Sequence, residues 1–188
     1  DLHKKYQQFD FIILMAARLV REKNIPLALE SFSELLGKFP KTGLIIVGGG
    51  PERENLEART RRLRLPGRVV FEGEVGGEDL VSYYKTADLY LLASNFEGYS
   101  RSVVEAAASG LPVVMTDVGV AGEIIRDGET GRVVPVGDKP ALLKALLESR
   151  RNYGIAKRMA ETAQKLVLEM PPHTREEYFG KYQESFRG

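Results

Sequence analysis

What most constrains this chain is a repeating alternation. Short apolar runs, each too brief for a helix, are followed by longer segments with helical spacing. Residues 11–17, 44–47, 69–71, 88–93, 113–115 and 132–134 read as strands. Residues 25–39 repeat apolar side chains at Leu27, Leu29, Phe32 and Leu35–Leu36, and Pro26 suits a first helical turn. Pro51 opens a charged helix that runs to about Arg64. Residues 78–86, 100–109, 139–149, 155–168 and 174–186 complete the helices, and 121–125 is expected as a short helical turn. Gly110 and Pro112 close the helix at 100–109, and Pro171-Pro172 separates the last two.

This alternation implies an α/β fold: a three-layer Rossmann-like domain with about six parallel strands and helices on both faces. The crossovers should be right-handed. Ligands in such sheets bind beyond the carboxyl ends of the strands. The loops that matter are therefore 17–24, 48–51, 72–77, 94–100 and 116–122.

Composition narrows the chemistry. At 188 residues the chain suits one domain, 1–188. A formal net charge of +1 gives no broad field for nucleic acid or an anionic membrane, so no nucleic-acid partner is expected. The chain has no cysteine, which excludes disulfides and thiolate zinc sites. The two histidines, His3 and His173, lie near opposite ends, leaving little material for a histidine metal site or a Ser-His pair. No apolar run approaches the roughly 20 residues of a membrane helix. The chain opens on Asp1 without a signal-peptide pattern, so a cytoplasmic domain excised from a longer protein is the expectation.

The densest chemistry lies between Ser94 and Ala106. Glu97 follows a strand and precedes a helix, and Glu105 sits inside that helix among Val103, Val104, Ala106, Ala107 and Ala108. A carboxylate buried there without partners costs several kcal/mol. It either accepts from two adjacent sugar hydroxyls, or lies outward, or pairs with a neighbouring arginine. The helix start near Tyr99 to Ser102 offers free amides for a phosphate, and Ser100 is a candidate N-cap. Arg18 and Lys23 follow the first strand and could meet a diphosphate, or form a solvated basic loop with Arg21.

Gly48-Gly49-Gly50 ends the second strand, but Arg53 stands where a dinucleotide fingerprint needs its third glycine, and Glu52 would repel a phosphate. Close approach of backbone to a ligand, or a plain tight turn, accounts for the glycines better. There is no Gly-Lys-Ser/Thr phosphate loop, no Asp-x-Asp pair and no Gly-x-Ser-x-Gly elbow.

Two glutamates separated by seven residues, starting Glu97-Gly98 and ending Glu105-Ala106, resemble the signature of family 4 (group 1) retaining glycosyltransferases with the GT-B fold. The resemblance extends along nearly the whole chain. It includes residues 17–23, 46–51, 87–94, Gly110-Leu111-Pro112-Val113-Val114 and Asp127-Gly128-Glu129-Thr130-Gly131, in the family's order.

The resemblance implies a C-terminal donor-binding domain, whose acceptor-binding N-terminal partner domain lies outside this chain. It implies a UDP-, GDP- or ADP-sugar as donor and a glycan or lipid-linked acceptor, with no metal and no cofactor. By the same resemblance Glu97 contacts the transferred sugar, Glu105 holds the ribose hydroxyls, and Arg18 and Lys23 neutralise the diphosphate. Amides around Gly98, Tyr99, Ser100, Arg101 and Ser102 assist, Val75 packs on the base, and Gly49 lies beside the nucleotide. Three positions depart from the pattern. Ser100 and Arg101 stand where many members have glycine and an aliphatic residue, and Asn24 replaces a common glycine. The resemblance also implies a last helix, with Tyr178, Phe179, Tyr182 and Phe186, that crosses toward the missing domain or packs on this one. Competing expectations are an NAD-dependent oxidoreductase domain, a sugar-nucleotide epimerase or phosphorylase, and a non-catalytic interaction module on the same fold.

Overall fold

A computed structural model describes residues 2–170; the expected helix at 174–186 lies outside them. Six strands form one parallel sheet: β1 (Phe11–Ala16), β2 (Thr42–Val47), β3 (Val69–Gly73), β4 (Leu89–Leu92), β5 (Val113–Thr116) and β6 (Arg132–Val134). Their order is β3-β2-β1-β4-β5-β6. The helices are α1 (Leu2–Lys5), α2 (Ile25–Leu36), α3 (Arg53–Arg62), α4 (Gly77–Thr86), α5 (Arg101–Ala108), α6 (Lys139–Arg151) and α7 (Tyr153–Glu169), with a 3-10 turn at Arg21–Lys23. No helix among the described residues is long and apolar enough to cross a membrane.

The strand signal is strong because both sheet faces are covered. All six residues of β1 are buried. Phe11, Ile13 and Met15 enter one core with α2, α3 and α6; Ile12, Leu14 and Ala16 enter the other with α4, α5 and α7. A strand buried on both faces reads as a continuous apolar run rather than an alternation. Each large side chain so buried contributes about 2 kcal/mol. Buried Ala106 and Ala107 on α5, with Ala160 and Ala163 on α7, let these two helices pack closely.

Three expectations are corrected. Residues 121–125 form a closed turn rather than a helical one: Ala121 bridges Ile125, and the Gly122 amide donates to Ile125 O at 2.8 Å. Gly122, at φ 77°, breaks the helical path. Helix α2 stops at Leu36, where Gly37 caps it; Phe39 packs against the same core from the following turn, which is why its spacing reads as helical. Helix α3 begins at Arg53, two residues after Pro51.

The chain order reverses between β1 and β4, which pair through Ile13 with Leu89 and Leu14 with Tyr90. From here the chain continues to β2 and β3 on one side and to β5 and β6 on the other. The loops leaving β1 and β4 therefore part around a crevice, the usual ligand position in open parallel sheets.

Candidate functional site

Backbone contacts hold the loop after β1 in place. Ala17 N donates to Val47 O at 2.9 Å, Leu19 N to Gly49 O at 2.8 Å, and Gly48 N to Gly73 O at 2.6 Å. Gly48 lies at φ 137°, and a Cβ there would stand 1.9 Å from Ala17 O. Its glycine is required by the protein's own backbone rather than by a ligand. Leu19 is fully buried and anchors the loop, while Arg18 beside it is exposed.

Three contacts stitch this loop to the one after β4. Asn95 N donates to Glu22 O at 2.7 Å, Asn24 Nδ2 to Asn95 Oδ1 at 2.9 Å, and Lys23 Nζ to Glu97 Oε1 at 2.5 Å. Ser94 Oγ also donates to Glu97 Oε1, at 2.6 Å. Ser94 is itself held through its carbonyl by Thr116 Oγ1 at 2.7 Å. The Lys23 and Glu97 side chains are only 21% and 10% exposed, so removing either one strands a poorly solvated charge.

Helix α5 follows. Ser100 adopts a left-handed conformation, φ 57° and ψ 55°, and makes no side-chain cap. Ser100 does hold the expected N-cap position, but its hydroxyl is buried without a hydrogen-bond partner among the described residues and caps nothing. Left-handed backbone costs a non-glycine residue about 1–2 kcal/mol. Asn24 is left-handed too, at φ 43°. Two of the departures from the family pattern thus replace glycine where the backbone favours it.

Glu105 accepts from Arg101 Nε through Oε1 and from Tyr84 OH through Oε2, both at 2.9 Å. The expected neighbouring arginine is therefore present, and the carboxylate is half-buried rather than turned to solvent. Burial, with the negative Glu105 and Tyr90 nearby, pushes the Tyr84 hydroxyl well above the usual tyrosine range, so it remains a donor. Tyr90 is likewise raised by burial. Its hydroxyl donates to Ala16 O at 3.1 Å.

A cleft of about 480 Å³ opens among these groups, a volume suited to a small ligand. Of the sequence-derived residues, Arg18, Gly49, Val75, Ser102 and Glu105 line it. Glu97, Lys23, Gly98, Tyr99, Ser100 and Arg101 do not; they belong to the stitched loops and the first turn of α5 that lead to Ser102. Gly49 meets a neighbour that the sequence reading missed: a Cβ there would lie 2.6 Å from Glu74 Oε1. Glu74 and Tyr84 line the cleft with it. Ser94 was also missed, although its spacing three residues before Glu97 was a usable signal. Nothing local pointed to Tyr84, which reads as one more helix residue.

The chain is similar to known proteins along most of its length. The family model "Glycosyl transferases group 1" matches residues 3–166. A GDP-mannose-dependent alpha-(1-6)-phosphatidylinositol monomannoside mannosyltransferase of Mycolicibacterium smegmatis is 32% identical over 72% of the chain and 37% of its own length. An alpha-monoglucosyldiacylglycerol synthase of Acholeplasma laidlawii is 27% identical over 90% of the chain and 41% of its own. The chain thus spans about two fifths of these relatives. Among solved structures, Anabaena HepE, crystallised with UDP and glucose, superposes with a TM-score of 0.82 at 22% identity, over 99% of this chain and 50% of that one. The C-terminal domain of the group 1 glycosyl transferase LpcC from Francisella tularensis superposes with a TM-score of 0.80 at 22% identity, over 89% and 91%. The fold is therefore the Rossmann-like half of a GT-B architecture.

Proposed function

This chain belongs to the group 1 glycosyl transferase family, and on that premise we propose that it is the C-terminal donor-binding domain of a retaining enzyme that transfers a sugar from a nucleoside diphosphate. The cleft takes the nucleotide. Val75 packs on the base, Gly49 lets the nucleotide approach, and Glu105 accepts hydrogen bonds from the ribose hydroxyls. Arg18 and Lys23 meet the diphosphate, joined by the opening amides of α5 at Arg101 and Ser102. Gly98 and Tyr99 carry the backbone from the phosphate side toward Glu97, which receives the hydroxyls of the transferred sugar.

When the bond from the anomeric carbon to the β-phosphate oxygen breaks, negative charge gathers on the departing diphosphate. Two cations, Lys23 held by Glu97 and the exposed Arg18, and a helix N-terminus stabilise that charge without a metal. The Lys23–Glu97 pair places a cation beside the carboxylate assigned to the sugar, so leaving group and sugar are gripped by one unit. The acceptor, a glycan or a lipid-linked glycan, comes from a preceding domain. The role proposed for the whole enzyme is cell-envelope or exopolysaccharide synthesis, on the cytoplasmic side at the edge of the inner membrane; the names of two relatives, both enzymes that glycosylate lipids, support the cell-envelope part.

The observation that carries this reading is convergence. Arg18 and Glu105 line one cleft, while Lys23 and Glu97 join the two loops beside it. The test is to incubate the whole protein with UDP-, GDP- and ADP-sugars and a glycan acceptor, and to determine the anomeric configuration of the product by NMR. Retention of the donor's anomeric configuration is expected. An inverted product, or free sugar with no acceptor dependence, contradicts the reading.

A further inference from the structure

Glu105 is held from two sides by contacts of different kinds. Arg101 reaches Oε1 with a side chain that is 84% exposed. Such an exposed pair, four residues apart on one helix, contributes little and exchanges readily with water. Tyr84 reaches Oε2 from α4, and Tyr84 is only 2% exposed. Its ring tilts at 43° against Tyr90 with centroids 5.9 Å apart, and Tyr90 is anchored through its own hydroxyl on the Ala16 carbonyl. The Tyr84 hydroxyl therefore cannot leave Glu105 without moving buried rings. Both residues line the cleft.

An ionised carboxylate offers about four lone-pair sites. One hydrogen bond from Tyr84 fixes the orientation of the group and leaves acceptor capacity on both oxygens. We propose that Tyr84 is the positioning residue of the ribose subsite: it sets the rotamer of Glu105 so that the two oxygens face the vicinal hydroxyls of a nucleotide in the cleft, while Arg101 is a replaceable outer partner. This rests on the assignment of Glu105 to the ribose. Its consequence is selective, because a nucleotide lacking both ribose hydroxyls gains nothing from an oriented Glu105.

The test is calorimetry on the purified chain, using whichever of UDP, GDP and ADP binds best and its 2′,3′-dideoxy counterpart. The variants are Tyr84→Phe, Glu105→Gln, the double substitution and Arg101→Ala. Tyr84→Phe keeps the buried ring, and the dideoxy ligand reports any general damage. Tyr84→Phe is expected to weaken the ribonucleotide about tenfold, to leave the dideoxy ligand unchanged, and to add nothing in the Glu105→Gln background. Arg101→Ala, which removes the side chain and keeps the α5 amide assigned to the phosphate, is expected to leave the preference for the ribonucleotide over the dideoxy ligand unchanged. If Tyr84→Phe weakens both ligands alike, its role is packing and the inference is overturned. It is also overturned if Tyr84→Phe is silent while Glu105→Gln abolishes the preference for the ribonucleotide; the ribose assignment then survives. If Glu105→Gln keeps that preference, the assignment and the inference fall together.

Discussion

Lys23 Nζ lies 2.5 Å from Glu97 Oε1, joining the turn after β1 to the loop after β4 across 74 residues of sequence. Because β1 and β4 are neighbours in the sheet, this ion pair closes the rim of the crevice at the point where the strand order reverses. Neither residue has a local reason to meet the other; the parallel topology brings them together.

In the whole enzyme, Glu97→Gln should lower kcat by about 10²–10³-fold with a smaller change in KM, since the lost charge acts on the sugar as its bond to phosphate breaks. Lys23→Met should lower kcat as well, and it also leaves Glu97 without its cation. Steady-state kinetics of both variants check this. Rates near the parent's in both would remove these residues from the chemistry.

Gly48 and Gly49 should respond differently to alanine. Gly48→Ala drives a methyl group into Ala17 O from a positive φ and should cost at least about 2 kcal/mol of stability. For Gly49→Ala the nearest atoms all belong to the Glu74 side chain, which can swing away; stability should change less than at Gly48 while nucleotide affinity falls. Urea unfolding and nucleotide titration separate the two. Equal destabilisation would contradict the close-approach argument.

Ser100→Gly should stabilise the protein. The change relieves about 1–2 kcal/mol of left-handed strain and removes an orphaned buried hydroxyl. Against this stands about 0.5–1 kcal/mol of added backbone entropy in the unfolded chain. The net expectation is a gain of about 1 kcal/mol, read as a higher urea midpoint. A lower midpoint would mean that the hydroxyl is satisfied in the folded state.

Stability should fall on acidification partly through Glu72. Burial raises its carboxyl, but hydrogen bonds from Lys5, Tyr6 and Tyr83 outweigh burial and hold it below the ordinary glutamate value. A depressed folded-state pKa means the stabilisation is fully present above the unfolded value, about 4.3, and is lost as pH falls through the folded one. Asp88 acts oppositely. Burial raises it despite the Ile12 amide and Tyr153, so it takes up a proton preferentially in the folded state and adds stability on acidification. Glu72→Gln should lower stability at pH 7 and flatten the acid limb of the stability curve, whereas Asp88→Asn should steepen that limb. Urea unfolding from pH 3 to 7 reads both, and unchanged slopes would contradict the assignments.

Much of the fold is legible in the residues themselves. Phe11 to Ala16 and Leu89 to Leu92 are uniformly apolar because helices cover both faces of their sheet. The boundaries were less legible. Thr42 and Gly43 join β2 only because Phe11 and Ile12 pair with them, and Gly43 lies against the Phe9 ring. Neither fact has a local signal. In the candidate site, Arg18, Lys23, Glu97 and Glu105 were legible as charged groups near strand ends, and the resemblance alone implied their roles. Tyr84 and Glu74 were not, because each matters through a contact made across elements, to Glu105 on α5 and to Gly49 after β2.

The most direct test of the account is calorimetric titration of this chain with UDP, GDP and ADP. At least one should bind with a dissociation constant below about 1 mM, and Arg18→Ala and Glu105→Gln should each weaken it about tenfold or more. Absence of binding by all three, or binding that both substitutions leave intact, would contradict the claim that this cleft holds a nucleoside diphosphate.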